Sequence, residues 1–322
     1  MLLPPFRQDP NGAPACGGGG ELMSGSLEIF WDPEGIELDS LGSKRYLRAT
    51  DGDTPYVSMN VRLLSMDAPE THYPGNAKPS RQDEKLAQLA EWIREGRAPV
   101  EPGLGEYLCP KLAGGNAGSL QEEQGRKAAA YFRKLTEERL TDGGRRRRPV
   151  YLRTADRPFD RYGRLLAYVA PQYTAEERAR MSRRERATFN LLMVEAGWAA
   201  PFPIFPSLPG HADLILLREA AERAFVEERG AWAEPAALAG YEFRMCVRLY
   251  EVARRLAQGR RLGAAERSGW VRRYCVDMTT REIYYPQDYY LVPIYNRLFV
   301  WPEDVKEAVA ALNLVPARRP SG

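Results

Sequence analysis

The stretch Val61-Arg62-Leu63-Leu64-Ser65-Met66-Asp67-Ala68-Pro69-Glu70-Thr71 constrains this chain more than any other, because an apolar strand there delivers an arginine and two carboxylates to its own end. On a pleated strand alternate residues share a face, so Arg62 goes with Leu64 and Met66 while Val61 and Leu63 take the other. Both faces read as buried. A guanidinium in such a place needs a partner. Asp67 and Glu70 flank an Ala-Pro turn whose proline fixes the backbone, so the two carboxylates project from a rigid corner. A cation beside two acids suits a phosphate ester together with a metal.

Two further turns add to this corner. Asp51-Gly52-Asp53-Thr54 places two carboxylates around a glycine, and Asp160-Arg161-Tyr162-Gly163-Arg164 is a turn loaded with cations. Asp53 and Asp67 offer hard oxygen ligands with no soft atom nearby, which favours calcium or magnesium over zinc. Two carboxylates leave positions for water, a backbone carbonyl and a substrate phosphate, so such a site stays open. Glu70 is placed to take a proton from water, and Arg62 and Arg164 to bind phosphoryl oxygens as negative charge accumulates. A buried ion network of Arg62, Asp67 and Glu70 without catalysis is the competing use of these residues. It needs neither Asp53 nor Arg164.

In their order these strings resemble the thermonuclease, or staphylococcal nuclease-like, family. That family carries D-G-D-T, R-L-(x)3-D-x-P-E-T, D-[KR]-Y-G-R, a helix reading N-(x)4-V-(x)2-G and a helix ending near a tryptophan. Here these are Asp51 to Thr54, Arg62 to Thr71, Asp160 to Arg164, Asn190 with Val194 and Gly197, and Leu217 to Trp232, spanning residues 45 to 235. The resemblance implies an α+β fold, an OB-fold barrel with packed helices. It also implies calcium-dependent cleavage of DNA or RNA, single strands favoured, with magnesium or manganese as second choices. By position it implies a metal on Asp53, Asp67 and the Ala68 carbonyl, Glu70 as general base, Arg62 and Arg164 as phosphate clamps, and Arg161 and Tyr162 against a terminal phosphate. Ala68 stands where the family has threonine, a change that a backbone carbonyl contact survives. The alternative is a catalytically silent module that keeps the barrel and binds nucleic acid or protein.

A length of 322 residues is ample for one such domain plus large additions. The net charge of +3 and pI near 8.6 are only mildly basic, so composition does not announce a nucleic-acid binder. Arginine far outnumbers lysine, which fits either a GC-rich genome or bidentate phosphate binding. Cys16, Cys109, Cys246 and Cys275 are scattered and only two histidines accompany them, so neither a disulfide framework nor a zinc site is indicated. No secretory signal and no membrane-length apolar run is present, and a cytoplasmic protein is expected.

Along the chain, residues 1–25 form a Pro/Gly-rich leader and 26–235 the nuclease-like domain, which carries insertions at 72–120 and 171–184. Short strands are expected at Leu27 to Trp31 and Tyr46 to Ala49. The first insertion shows helical spacing at Leu86, Leu89, Ala90 and Ile93, then a Pro/Gly-rich run from Pro99 to Gly118, expected as a mobile flap beside Glu70. A helix from Glu122 to Leu140 and a hairpin of Val150 to Thr154 with Leu165 to Val169 follow. Arg145 to Arg148 reads as a solvated loop or a phosphate contact. Ser182 with Glu185 is a capping box for a helix over Arg186 to Ala196, and Thr174 with Glu177 a second start. Phe202 and Phe205 suit core packing or base stacking. Residues 236–322 read as a small α+β appendage, removable after about residue 235, with a protein partner or self-association as its expected role.

Overall fold

The computed structural model describes residues 43–142, 146–160 and 162–317. The leader, the expected strand at Leu27 to Trp31, Gly143, Gly144, Arg145 of the basic run and Arg161 lie outside the described residues. The chain divides into two compact units, one of residues 1–59 with 161–164, the other of 60–160 with 165–322. In the first, β1 (Tyr46–Ala49) pairs antiparallel with β2 (Pro55–Val57), Tyr46 facing Val57 and Arg48 facing Tyr56. The Asp51 turn joins them, closed by the Thr50 N–H donating to the Thr54 carbonyl at 3.1 Å.

The second unit begins with the constraining stretch, which is two strands and not one. β3 (Val61–Leu63) pairs parallel with the later strand Leu165–Pro171, and β4 (Ser65–Asp67) pairs antiparallel with Ala200–Phe202. The break falls at Ser65, whose φ of 56° lies in the left-handed region that non-glycine residues avoid. That turn swings the backbone out of one sheet into another and ends the simple alternation of faces. Val61 is 37% exposed, whereas Leu64, Ser65, Met66 and Asp67 are all buried. Asn190 spans the break: its amide donates to the Leu64 carbonyl at 2.9 Å and the Ala167 carbonyl at 3.2 Å, and its oxygen accepts from the Val169 N–H at 3.0 Å.

Before those partners the chain makes three helices, α1 (Asp83–Arg94), α2 (Pro102–Leu112) and α3 (Ala117–Leu140). α2 falls in the run expected to lack structure. Leu104, Leu108 and Leu112 recur every fourth residue and are fully buried, enough to hold a helix that starts at Pro102 and contains Gly103, Gly105 and Pro110. Next come β5 (Thr141–Asp142), β6 (Arg146–Arg147), β7 (Val150–Phe159) and β8 (Leu165–Pro171), the last two an antiparallel pair. α4 (Ala175–Arg180) opens on a capping box of Thr174 and Glu177. The reciprocal bonds of Ser182 and Glu185 also form, but they close a turn; α5 (Phe189–Glu195) begins later, capped by the Thr188 hydroxyl. β9 (Ala200–Phe202) and α6 (His211–Val226) end the family-like region, with Phe202 and Phe205 both in the core.

The remaining elements are α7 (Gly240–Ala257), α8 (Ala264–Ser268), β10 (Tyr274–Asp277), β11 (Glu282–Tyr284), β12 (Arg297–Val300), α9 (Val305–Leu312) and β13 (Val315–Pro316). The four strands form one sheet in the order β12-β10-β11-β13. Within this stretch Tyr289 is buried and Tyr285 is 56% exposed.

An α+β composition stands, but helix at 47% exceeds strand at 17%, and among the described residues the strands make several small sheets and no closed barrel. No helix among the described residues is long and apolar enough to cross a membrane.

The 72–120 insertion and the chain after 235 share one hydrophobic core. Leu86, Leu89, Leu104, Leu108 and Leu112 pack with Tyr241, Phe243, Leu249, Trp270 and Phe299, along with Phe202 of β9. Trp92 of α1 stacks on Tyr250 of α7 at 5.4 Å. A buried ion cluster adds to this: Glu242 accepts from Tyr107 at 2.8 Å and pairs with Arg297 at 3.1 Å and Lys111 at 3.5 Å. Backbone bonds extend the joint, since the Phe299 N–H donates to the Pro203 carbonyl and the Phe205 N–H to the Phe299 carbonyl, both at 2.9 Å. The insertion is therefore packed and not a loose flap. The C-terminal stretch completes a core in place of hanging beside one.

Candidate functional site

Asp67 ends β4 and Glu70 follows the Ala-Pro corner, and the two acids meet arginines from opposite ends of the chain. Arg62 reaches from β3 and donates to Asp67 Oδ1 at 2.5 Å. Arg244, on the second turn of α7, donates through Nη2 to Asp67 Oδ1 at 3.1 Å and Oδ2 at 3.0 Å, and through Nη1 to Glu70 Oε1. The Asp67 side chain has no exposed surface, the Glu70 side chain keeps 23%, and Arg244 keeps 18%. Burial alone pushes the Asp67 carboxyl up, but Arg244 and then Arg62 outweigh it and hold it below the ordinary carboxylate value. The same pairing raises Arg244 above the usual arginine value against its own burial.

The backbone around these acids is fixed from two further sides. A Cβ at Gly240 would lie 2.5 Å from the Ala68 carbonyl and 2.6 Å from Asp67 Oδ2, so the first turn of α7 rests directly on the corner. Gln121 of α3, with its amide turned to satisfy both ends, accepts from the Glu70 N–H at 2.8 Å and donates to the Leu238 carbonyl at 3.1 Å.

Of the residues expected at the site, Arg62, Asp67, Ala68 and Glu70 come together in the second unit. Asp53, Tyr162 and Arg164 belong to the first unit, and Arg161 lies outside the described residues. Within that first unit Thr54 donates to Asp53 Oδ1 at 3.0 Å, and the Arg164 guanidinium stands 5.4 Å over the Tyr162 ring. Among the described residues no group of three or more His, Cys, Asp or Glu side chains could hold a metal. Of the three groups expected to hold a cation, Asp67 and the Ala68 carbonyl are occupied by other parts of the chain as arranged. Both Asp67 oxygens are taken by guanidinium, and the Ala68 carbonyl is covered by Gly240.

Arg244, Gly240 and Gln121 were not among the expected site residues. The helical periodicity around Arg244 is plain in the sequence, but nothing local to it points to a partner 174 residues away.

The break between β3 and β4, the asparagine that ties it and the Arg-Asp-Glu corner beyond it all lie between residues 60 and 234 or reach into that region. The family model described as staphylococcal nuclease homologue matches residues 60–234, more than half of the chain, and the chain belongs to that family. A comparison with curated proteins finds no match.

Proposed function

We propose that this chain is a nuclease-fold protein that binds nucleic-acid phosphates while its carboxylate corner holds the fold together instead of hydrolysing a phosphodiester. The observation that carries this reading is the double engagement of Asp67 and Glu70 by Arg244. Freeing Asp67 means removing a guanidinium from a buried carboxylate, which costs about 3 to 5 kcal/mol when such a pair is broken from one side. Swinging the side chain alone is not enough, because Gly240 also covers the Ala68 carbonyl and α7 is locked into the core by Tyr241, Phe243 and Leu249.

The test is incubation of the purified full chain with single-stranded DNA and RNA oligonucleotides, in calcium and in chelator. The expected result is salt-sensitive binding with no cleavage in either condition. Calcium-dependent cleavage that disappears in Glu70→Gln overturns the reading.

A second reading keeps hydrolysis. It is favoured by the presence together of Arg62, Asp67 and Glu70, with Asp53 and Arg164 also retained, and by the accessible part of Glu70. There Glu70 acts as the base and Arg62 and Arg164 as clamps, and α7 must first withdraw Arg244. The same incubation separates the two, and calorimetric titration with calcium reports whether Asp53→Ala or Asp67→Ala removes a metal site.

A further inference from the structure

Beside Arg244 lies a small, partly open space of about 50 Å³, lined by Arg244, Arg248, Arg272, Arg273, Trp270 and Tyr289 among others. Around this space the cations outnumber the acids. Arg62 and Arg244 offset Asp67 and Glu70, and Arg272 faces Glu303 at 3.8 Å. Arg248 and Arg273 are left with no carboxylate in ion-pair reach among the described residues. Arg248 donates only to the Tyr73 hydroxyl, at 3.2 Å. The Arg273 guanidinium carbon stands 4.8 Å from the Phe202 ring centre, 5.1 Å from Trp301 and 5.5 Å from Phe299, and its N–H groups have no acceptor among the described residues.

Two neutral groups repeat the pattern. Trp270 is 2% exposed and its indole N–H has no partner; Tyr289 is 1% exposed and its hydroxyl has none either. Both residues line the cavity, but neither the indole nitrogen nor the hydroxyl oxygen opens onto it, so the polar groups that do face it are the guanidiniums. The arginines that line the space bring N–H donors, and no carboxylate within ion-pair reach takes those of Arg248 or Arg273. An oxyanion supplies only acceptors, and guanidinium forks match its oxygens. The volume is that of one or two waters at about 30 Å³ each, so it takes a single small group and excludes a nucleotide base.

We infer that this cavity is an oxyanion site of the phosphate class, with Arg273 as its principal cation and Arg248 at its rim. Burial, with the nearby Arg244 charge, pushes Arg273 down to about 10, so it remains a cation at neutral pH and gains from an anion beside it. The anion comes either from free phosphate or from the terminal phosphate of a nucleic-acid strand. The site does not depend on whether the Asp67 corner hydrolyses anything, because its donors come from the chain after residue 240.

The test is calorimetric titration of the full chain with inorganic phosphate, and with 5′-phosphorylated and 5′-hydroxyl oligonucleotides, at ionic strength held constant with chloride. Phosphate is expected to bind, with affinity reduced tenfold or more in Arg273→Met and severalfold in Arg248→Met. Arg261→Met, in an exposed linker, is expected to bind like the parent. Should Arg273→Met fail to fold, Arg248→Met at the exposed rim replaces it, with its own severalfold weakening as the readout. A 5′-phosphorylated strand binding more tightly than inorganic phosphate assigns the site to strand ends, and equal affinities assign it to free phosphate. Either result supports the inference. Phosphate no more effective than chloride, or variants that all bind like the parent, overturns it. Loss of calcium-dependent cleavage is no part of this readout, so the outcome is distinct from that of the hydrolysis test.

Discussion

Arg244 shows how one side chain can decide the state of a site. It spans two carboxylates on a rigid corner, and its own helix is held by core residues on either side, so the guanidinium has a fixed geometry and little freedom to leave. Removing it leaves Asp67 buried with Arg62 alone. Arg244→Met, which keeps most of the aliphatic stem, is expected to lower stability by about 3 kcal/mol, the low end for breaking a buried pair from one side. Urea unfolding followed by circular dichroism measures this, and a loss below about 1 kcal/mol would show that the pair contributes little to the fold.

At the scale of elements, Asn190 at the start of α5 ties the break between β3 and β4 to β8. It donates to the Leu64 carbonyl, accepts from the Val169 N–H and donates a second bond to the Ala167 carbonyl, which also accepts from the Leu64 N–H at 3.0 Å. Asn190→Ala should therefore cost about 2 to 3 kcal/mol, since the Leu64 carbonyl and the Val169 N–H lose their partner. A thermal shift no larger than that of a surface Asn→Ala change would rule this role out. The contacts between elements also set the acid response. Asp67, despite its burial, is held below its ordinary value of 3.8 by Arg244 and Arg62, and Glu242, also buried, below 4.5 by Lys111 and Arg297. On acidification the unfolded chain takes up these protons first. Stability from the two clusters is accordingly whole above about pH 4.5 and declines as pH falls below it. The urea midpoint between pH 7 and pH 3 should show that decline, with a shallower slope in Glu242→Gln; equal slopes would assign the acid sensitivity elsewhere.

For the whole molecule, the shared core makes the insertion and the C-terminal chain interdependent. Each buries apolar side chains on the other, at roughly 1.5 to 3 kcal/mol for each fully buried Leu or Phe as an upper estimate. Truncation after residue 235 removes Tyr241, Phe243, Leu249 and Phe299 and uncovers the leucines of α1 and α2. The truncated chain is expected to aggregate or to bind a hydrophobic dye strongly. A soluble, cooperatively unfolding fragment would contradict the shared core. Hydrogen exchange gives a second view: the amides of α1 and α2 should be protected as strongly as those of β8, and fast exchange over residues 102–112 would restore the mobile flap.

What the sequence determined by itself was local. Turn residues, the spacing of Leu86, Leu89 and Ala90, the Thr174–Glu177 capping box and the order of the family strings are carried by neighbours along the chain, so β1, α1, α4, the β7–β8 hairpin and the family were legible there. The Asp67 and Glu70 corner was legible for the same reason. The tertiary structure alone decided what that corner faces. Arg244 lies 177 residues beyond Asp67, Arg297 lies 55 beyond Glu242, and Leu104, Leu108 and Leu112 form a stripe only because α7 offers a surface to bury them. Charge pairing and burial act through space and leave no mark on the residues adjacent in sequence. Asp67, which reads along the chain as a metal ligand, and Glu70, which reads as a base, therefore fold against an arginine, Arg244, that only the tertiary structure brings to them.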